Sequence, residues 1–195
     1  KLAFFDSEGG AEVYAAATKR DQAKIVFGDA RAIVLAVPAL KRRITVPKTE
    51  RAIGSMFDES TRSKFEPLGQ DADSLDGLNI HGAIVDELHA HKTRLMWDVL
   101  QTATGARRQP LTFAITTAGS GRESVCWQQH QYGTQILDSI FEDDTFFCFI
   151  ATMDDEDDWT DPETWRKANP NYGVSVKVDD LERKCAKAQL VPAEQ

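Results

Sequence analysis

Residues Ile80-His81-Gly82-Ala83-Ile84-Val85 form a short apolar run that ends in two adjacent carboxylates, Asp86 and Glu87. A run of this length behind a polar loop reads as a buried strand. In a parallel α/β sheet, ligands bind beyond the carboxyl ends of the strands. Asp86 and Glu87 therefore fall where a nucleotide and its Mg²⁺ belong, provided that the rest of the chain builds such a sheet.

The remaining pattern does predict one. Val13 to Ala17 reads as a strand, with Thr18 as the cap of a following helix and Asp21 in its first turn. Ala23, Val26, Phe27, Ala30, Ile33, Val34 and Val37 recur at helical spacing until Pro38 stops them. Ile44-Thr45-Val46, Ala52-Ile53 and Lys64-Phe65 read as short strands, and residues 67–79 as a loop. Leu95, Met96, Val99, Leu100 and Ala103 make one helical stripe, with Gly105 as its stop. Leu111 to Thr116 is a further strand; Ser120 and Glu123 have capping-box spacing before a helix to about Ile140. Phe146 to Ala151 reads as another strand. A short helix starts around Thr160, Pro162 and Glu163 and ends at Asn169-Pro170-Asn171, and Asp179 opens a last, polar one. Strands alternating with helices imply a mostly parallel sheet with helices on both faces.

The 195 residues suit one α/β domain with a tail. No apolar run approaches the roughly 20 residues needed to cross a bilayer, so no membrane role is expected. Cys126, Cys148 and Cys185 are scattered, which fits a reducing compartment better than a disulfide framework or zinc site. The net charge of −8 is concentrated. Residues 141–163 hold ten acids and no Lys or Arg, and the remainder is close to neutral. The average charge thus does not exclude a DNA-handling surface. Lys19-Arg20, Lys41-Arg42-Arg43 and Arg107-Arg108 read as solvated faces rather than a phosphate track. Asp154 to Asp158 are five consecutive acids that cannot all enter one two-metal site, so they read as a linker.

The Asp86-Glu87 strand end has the form of a Walker B motif, in which the Asp serves the metal. Its adjacent Glu is placed to orient an attacking water. A phosphate loop, G-x-x-x-x-G-K-[ST], is the usual companion. No Gly in this chain is followed by Lys. Lys1 is not an initiator Met, and Leu2-Ala3-Phe4-Phe5 reads as the tail of an earlier helix, so an N-terminally truncated P-loop NTPase fold of the ASCE (RecA-like) type is expected. Without the loop, the chain alone is expected to be inactive.

A second segment supports the reading. The next strand ends in Thr116-Thr117-Ala118-Gly119, which would set hydroxyls beside the carboxylates, where they can sense a γ-phosphate. Read blandly, the acids merely close a strand and the threonines make a polar turn. Asp86-Glu87-Leu88-His89 with Thr116-Thr117-Ala118 also matches the D-E-x-H box and S/T-A-T motif of helicases, so a superfamily-two helicase fragment is the alternative.

The resemblance extends further. Ala15-Ala16-Ala17-Thr18-Lys19-Arg20-Asp21-Gln22-Ala23, Asp73 to Asn79 leading to Asp86-Glu87-Leu88-His89-Ala90-His91, Ile115-Thr116-Thr117-Ala118-Gly119, and Asp157 to Asn171 resemble the ATPase region of tailed-bacteriophage terminase large subunits. The likeness implies an ATP-hydrolysing motor that packages double-stranded DNA into a procapsid. It implies ATP and Mg²⁺ as cofactors, with Asp86 on the metal and on the nucleotide, Glu87 catalytic, and Thr116 and Thr117 in the coupling motif. An arginine finger is also implied, with Arg122 as first candidate and Arg94 and Arg62 behind it. The implied partners are double-stranded DNA, the portal protein, the small terminase subunit and further copies in a ring, in the host cell cytoplasm. Residues 1–152 would be the ATPase part. Residues 153–195 would be an acidic linker and short helices leading to a nuclease domain beyond Gln195.

Two sets of residues read as structural. His89 and His91 are two apart and His81 precedes the strand, so a shared metal is conceivable, but no Cys lies nearby and zinc is not expected. Trp97, Trp127, Trp159 and Trp165 read as core or interface packing rather than base-stacking platforms.

Overall fold

The structure, a computed structural model, describes residues 1–46, 54–69, 77–119 and 121–191. The chain divides into two units, Lys1–Gln135 and Ile136–Gln195.

The first unit is built on a five-stranded sheet. Its strands are β1 (Glu12–Ala17), β2 (Met56–Asp58), β3 (Ser63–Gly69), β4 (Ile80–Asp86) and β5 (Leu111–Ile115). Their spatial order is β2-β3-β1-β4-β5. Only β2 runs antiparallel to its neighbour; the β3–β1, β1–β4 and β4–β5 ladders are parallel. The expected mostly parallel α/β sheet is therefore present. The registers bring the strand ends level: Ala17 pairs with Gly69, Ala16 with Val85, and Asp86 with Ile115.

Alternation along β1 assigns the two faces. Val13 and Ala15 join Phe27 and Val34 of α2 (Arg20–Ala36), with Phe65, Met56 and the short α1 (Leu2–Phe5), in one core. Tyr14 and Ala16 join Ala83, Val85, Met96 and Leu100 of α4 (Leu95–Thr102), and Val125 and Cys126 of α5 (Val125–Leu137), in the other. Helices thus cover both faces.

Several local expectations need correction. Thr18 does not cap α2; the cap position is Lys19, and the Thr18 hydroxyl donates to Gln22 Oε1 at 2.6 Å. Pro38 stops α2 but also opens α3 (Pro38–Arg43), since a proline is tolerated where the N–H has no helical partner. Ile44-Thr45-Val46 is reduced to one bridge between Thr45 and Phe57, and the strand at Met56–Asp58 was not foreseen. Residues 67–69 are strand rather than loop. The helix expected from Ser120 begins at Val125, where Ser124 receives the Trp127 N–H. Ala52-Ile53, residues 70–76 and Ser120 lie outside the described residues.

β5 is an outer strand with bare side chains. Leu111, Phe113 and Ile115 are 46%, 50% and 53% exposed, and no charged residue or proline interrupts the strand. A parallel strand this apolar is normally covered on both faces.

In the second unit, Phe146 to Ala151 forms no ladder among the described residues, and Phe147 and Phe149 are exposed. The composition is strand-like, but composition alone does not supply the ladder that defines a strand. The acidic stretch is ordered rather than merely solvated. Lys167 Nζ meets Asp154 and Asp157 carboxylates at 2.9 and 2.7 Å, and the Asp154 N–H donates to Asp157 Oδ2. Asp161 caps α6 (Pro162–Ala168) by accepting the Glu163 N–H at 2.9 Å. Trp165 is buried and donates its indole N–H to the Trp159 carbonyl at 2.7 Å. The last helix, α7, spans Val178–Leu190. No helix of the described residues is long and apolar enough to cross a membrane.

Candidate active site

β4 delivers Asp86 as its final residue, half-buried, in register with Ile115. Among the described residues, no side chain takes the Asp86 carboxylate. Continued strand geometry would send Glu87 to the opposite face. Instead Glu87 is left-handed, with φ 54° and ψ 51°, and opens a 3₁₀ turn at Leu88–Ala90. Left-handed backbone at a residue with a Cβ costs about 1–2 kcal/mol. Here it breaks the alternation of the strand and leaves the Glu87 side chain half exposed.

The turn is anchored from below and from the side. Leu88 is buried in the core shared with α4 and α5. His91, 3% exposed, is pushed below the ordinary histidine range by burial, which outweighs the hydrogen bond it makes to the Asp86 backbone. It is thus a neutral strut behind the strand end. His89 faces the next strand: its backbone N–H donates to Thr116 Oγ1 at 3.0 Å. Its ring Nδ1 lies 3.1 Å from the same oxygen and 3.2 Å from Glu87 Oε2.

Thr116 follows β5 directly. Its hydroxyl donates to the Thr117 carbonyl at 2.9 Å and lies 3.7 Å from Cys126 Sγ of α5. Thr117 Oγ1 is 3.5 Å from His89 Nδ1. Gly119 passes against His89, in a space too small for a methyl group. The structure therefore brings Asp86, Glu87, Thr116 and Thr117 to one pole of the sheet.

The arginines divide differently. Arg122, exposed and ahead of α5, rests its guanidinium 5.6 Å from the Trp127 ring centroid, and Trp127 stacks on His130 at 5.4 Å. Arg94, at the cap of α4, is engaged by Gln128 and by Asp98. Arg62 precedes β3, at the amino ends of the strands and thus at the opposite pole. Arg107 is also at that pole. Its side chain is 5% exposed, and its guanidinium donates to the carbonyls of Gly9, Gly10 and Asn79.

Sequence reasoning overlooked His89 and Gly119. The D-E-x-H spacing includes His89, but that spacing alone does not give its contact with Thr116. Among the described residues, no group of three or more His, Cys, Asp or Glu is placed to hold a metal ion. Mg²⁺ needs less: it keeps several waters and takes one or two carboxylates plus substrate phosphates. The untied oxygens of Asp86 fit that demand.

A mostly parallel sheet with a carboxylate pair and a hydroxyl-bearing loop at its carboxyl pole defines an α/β domain of the P-loop ATPase type. The family model for the terminase large subunit ATPase domain matches residues 2–135, and the chain belongs to that family. The model for the terminase large subunit endonuclease domain matches residues 140–194. These matches favour the terminase over the helicase alternative. The two matched ranges meet between residues 135 and 140, near the division of the structure into Lys1–Gln135 and Ile136–Gln195. The stretch from 153 onward, expected to be an acidic linker and short helices, falls within the second of these matches up to residue 194.

Among curated relatives, the chain is 46% identical over 101 residues to protein YmfN of Escherichia coli (strain K12), covering 52% of this chain and 22% of YmfN. It is 25% identical over 186 residues to the terminase large subunit of Enterobacteria phage HK97, covering 93% of this chain and 35% of that protein. The crystal structure of the HK97 bacteriophage large terminase superposes with a TM-score of 0.79 at 22% identity, over 98% of this chain and 39% of that one. That likeness shows the fold. The chain spans well under half the length of these relatives.

Proposed function

We propose that this chain carries the metal carboxylate, the catalytic glutamate and the coupling segment of an ATP-driven DNA-packaging motor. The observation that carries the reading is the junction of β4 and β5, where Glu87 and Thr116 meet through one histidine.

Asp86 would hold Mg²⁺ together with the nucleotide phosphates, where the ion would neutralise charge developing on the β/γ oxygens. Glu87 orients water towards the γ-phosphate. Thr116 and Thr117 report the state of that phosphate to the loop that follows. Arg122 is exposed and suits a finger that acts on the nucleotide of a neighbouring copy, which requires a ring. The phosphate-binding loop must come from residues outside these 195, and the open edge of β5 is where a further strand could bring it to the same pole. Residues 140–194 supply part of the nuclease that cleaves packaged DNA. Portal protein, small terminase subunit and double-stranded DNA are the partners this role requires, in the cytoplasm of the host.

The test is Glu87→Gln in the full-length protein. It should retain ATP binding and lose turnover by ~10²-fold or more, the size expected when a group that positions the nucleophile is removed. Hydrolysis at the unmodified rate would end the assignment of Glu87.

A further inference from the structure

We infer that His89 is a positioning residue that makes Glu87 and the Thr116–Gly119 segment sense one another. The inference rests on the reading of Glu87 given above.

Thr116 spends its single O–H on the Thr117 carbonyl, so its oxygen acts as an acceptor towards His89. It already receives the His89 backbone N–H at 3.0 Å. The Glu87 carboxylate is an acceptor only. Both oxygens stand within 3.2 Å of His89 Nδ1, so either contact requires a proton on that nitrogen. There is one such proton for the two nearer acceptors, which belong to two different strand ends, and Thr117 Oγ1 stands farther off at 3.5 Å.

Charge-assisted hydrogen bonds are stronger than neutral ones, so Glu87 holds the larger share while it faces His89. When Glu87 turns to a water, the N–H passes to Thr116 and the ring follows it. Glu87 has room to turn, since its side chain is 50% exposed. The ring's movement reaches the following loop through Thr117, whose Oγ1 lies 3.5 Å from His89 Nδ1, while Gly119 packs against the stem of the same residue with no room for a methyl group. The position of the carboxylate and the position of the loop are thereby linked through one imidazole.

The experiment uses the full-length protein and four forms: unmodified, His89→Ala, His89→Asn and Glu87→Gln. Steady-state ATP hydrolysis gives kcat and KM, and a thermal melt gives Tm. His89→Ala should lower kcat by about 10–100-fold, as a misplaced catalytic group does. KM for ATP should stay within about twofold and Tm should hold, because uniform binding is untouched. His89→Asn retains a short side-chain N–H and should recover much of kcat. An unchanged kcat in His89→Ala, with Glu87→Gln inactive, overturns the inference and leaves the Glu87 assignment standing. Parallel loss of kcat and Tm without recovery by Asn also overturns it, marking His89 as a packing residue. Full turnover by Glu87→Gln overturns both.

Discussion

A Cβ built on Gly119 would stand 2.9 Å from the Cβ of His89, closer than two such carbons pack. The neighbour is the stem of the ring rather than the tip of a flexible chain, so it cannot yield without moving the backbone. Gly119→Ala should therefore destabilise by about 1–3 kcal/mol, as overpacking does. A melt should show Tm falling by several degrees, and full-length Gly119→Ala should hydrolyse ATP more slowly.

The chain by itself should release no phosphate from ATP above background. A triphosphate needs backbone N–H donors and a lysine to offset its charge, and this chain has no G-K pair to supply them. Malachite-green detection settles the matter, and robust turnover would mean that the phosphate site is built from other residues.

The bare edge of β5 predicts self-association of the isolated chain. Exposed, uncharged, apolar edges template pairing with other chains. Gel filtration with light scattering should show oligomers that Phe113→Lys reduces. In a longer protein, where another strand occupies that edge, Phe113→Lys should instead lower stability.

Asp58 is 1% exposed and receives Arg43 Nε at 2.5 Å, with Ser60 donating through both its N–H and its hydroxyl. Burial pushes its carboxyl upward, but those donors outweigh it and hold the pKa below the ordinary range. A depressed folded value means stability that is present above about pH 3.9 and lost as pH falls through the folded value. Urea melts should show that Asp58→Asn is less stable at neutral pH, by about 1–3 kcal/mol. The difference should shrink in acid.

Asp161 accepts the Glu163 N–H at the start of α6. Asp161→Ala should cost about 1 kcal/mol. The Trp165 indole sits one turn away and donates to the Trp159 carbonyl, so tryptophan fluorescence should follow the loss.

Much of the sheet was legible because its strands carry their own evidence. β1, β4 and β5 are apolar runs with polar ends, and α2 shows its helical period over four turns. The carboxylate pair was legible for the same reason, since a strand end fixes where its last residue lies. What escaped needed partners. Residues 146–151 have the composition of a strand but join no ladder among the described residues. The acidic run 154–158 is ordered by Lys167, ten residues or more away in sequence. Thr18 satisfied the rule for a cap but spent its hydroxyl on Gln22. His89 gains its meaning from Thr116, 27 residues on, and no local pattern could supply that contact.

The left-handed backbone at Glu87 also bears on how such a gene decays. Glycine or asparagine would hold that conformation with less strain, and neither could activate water. On the proposed role of Glu87, a copy under selection for packaging would keep the strained glutamate, and a copy released from that selection would gain stability by losing it. Across drifting relatives, position 87 is therefore where the end of motor function should be written early, before the core of the sheet begins to erode.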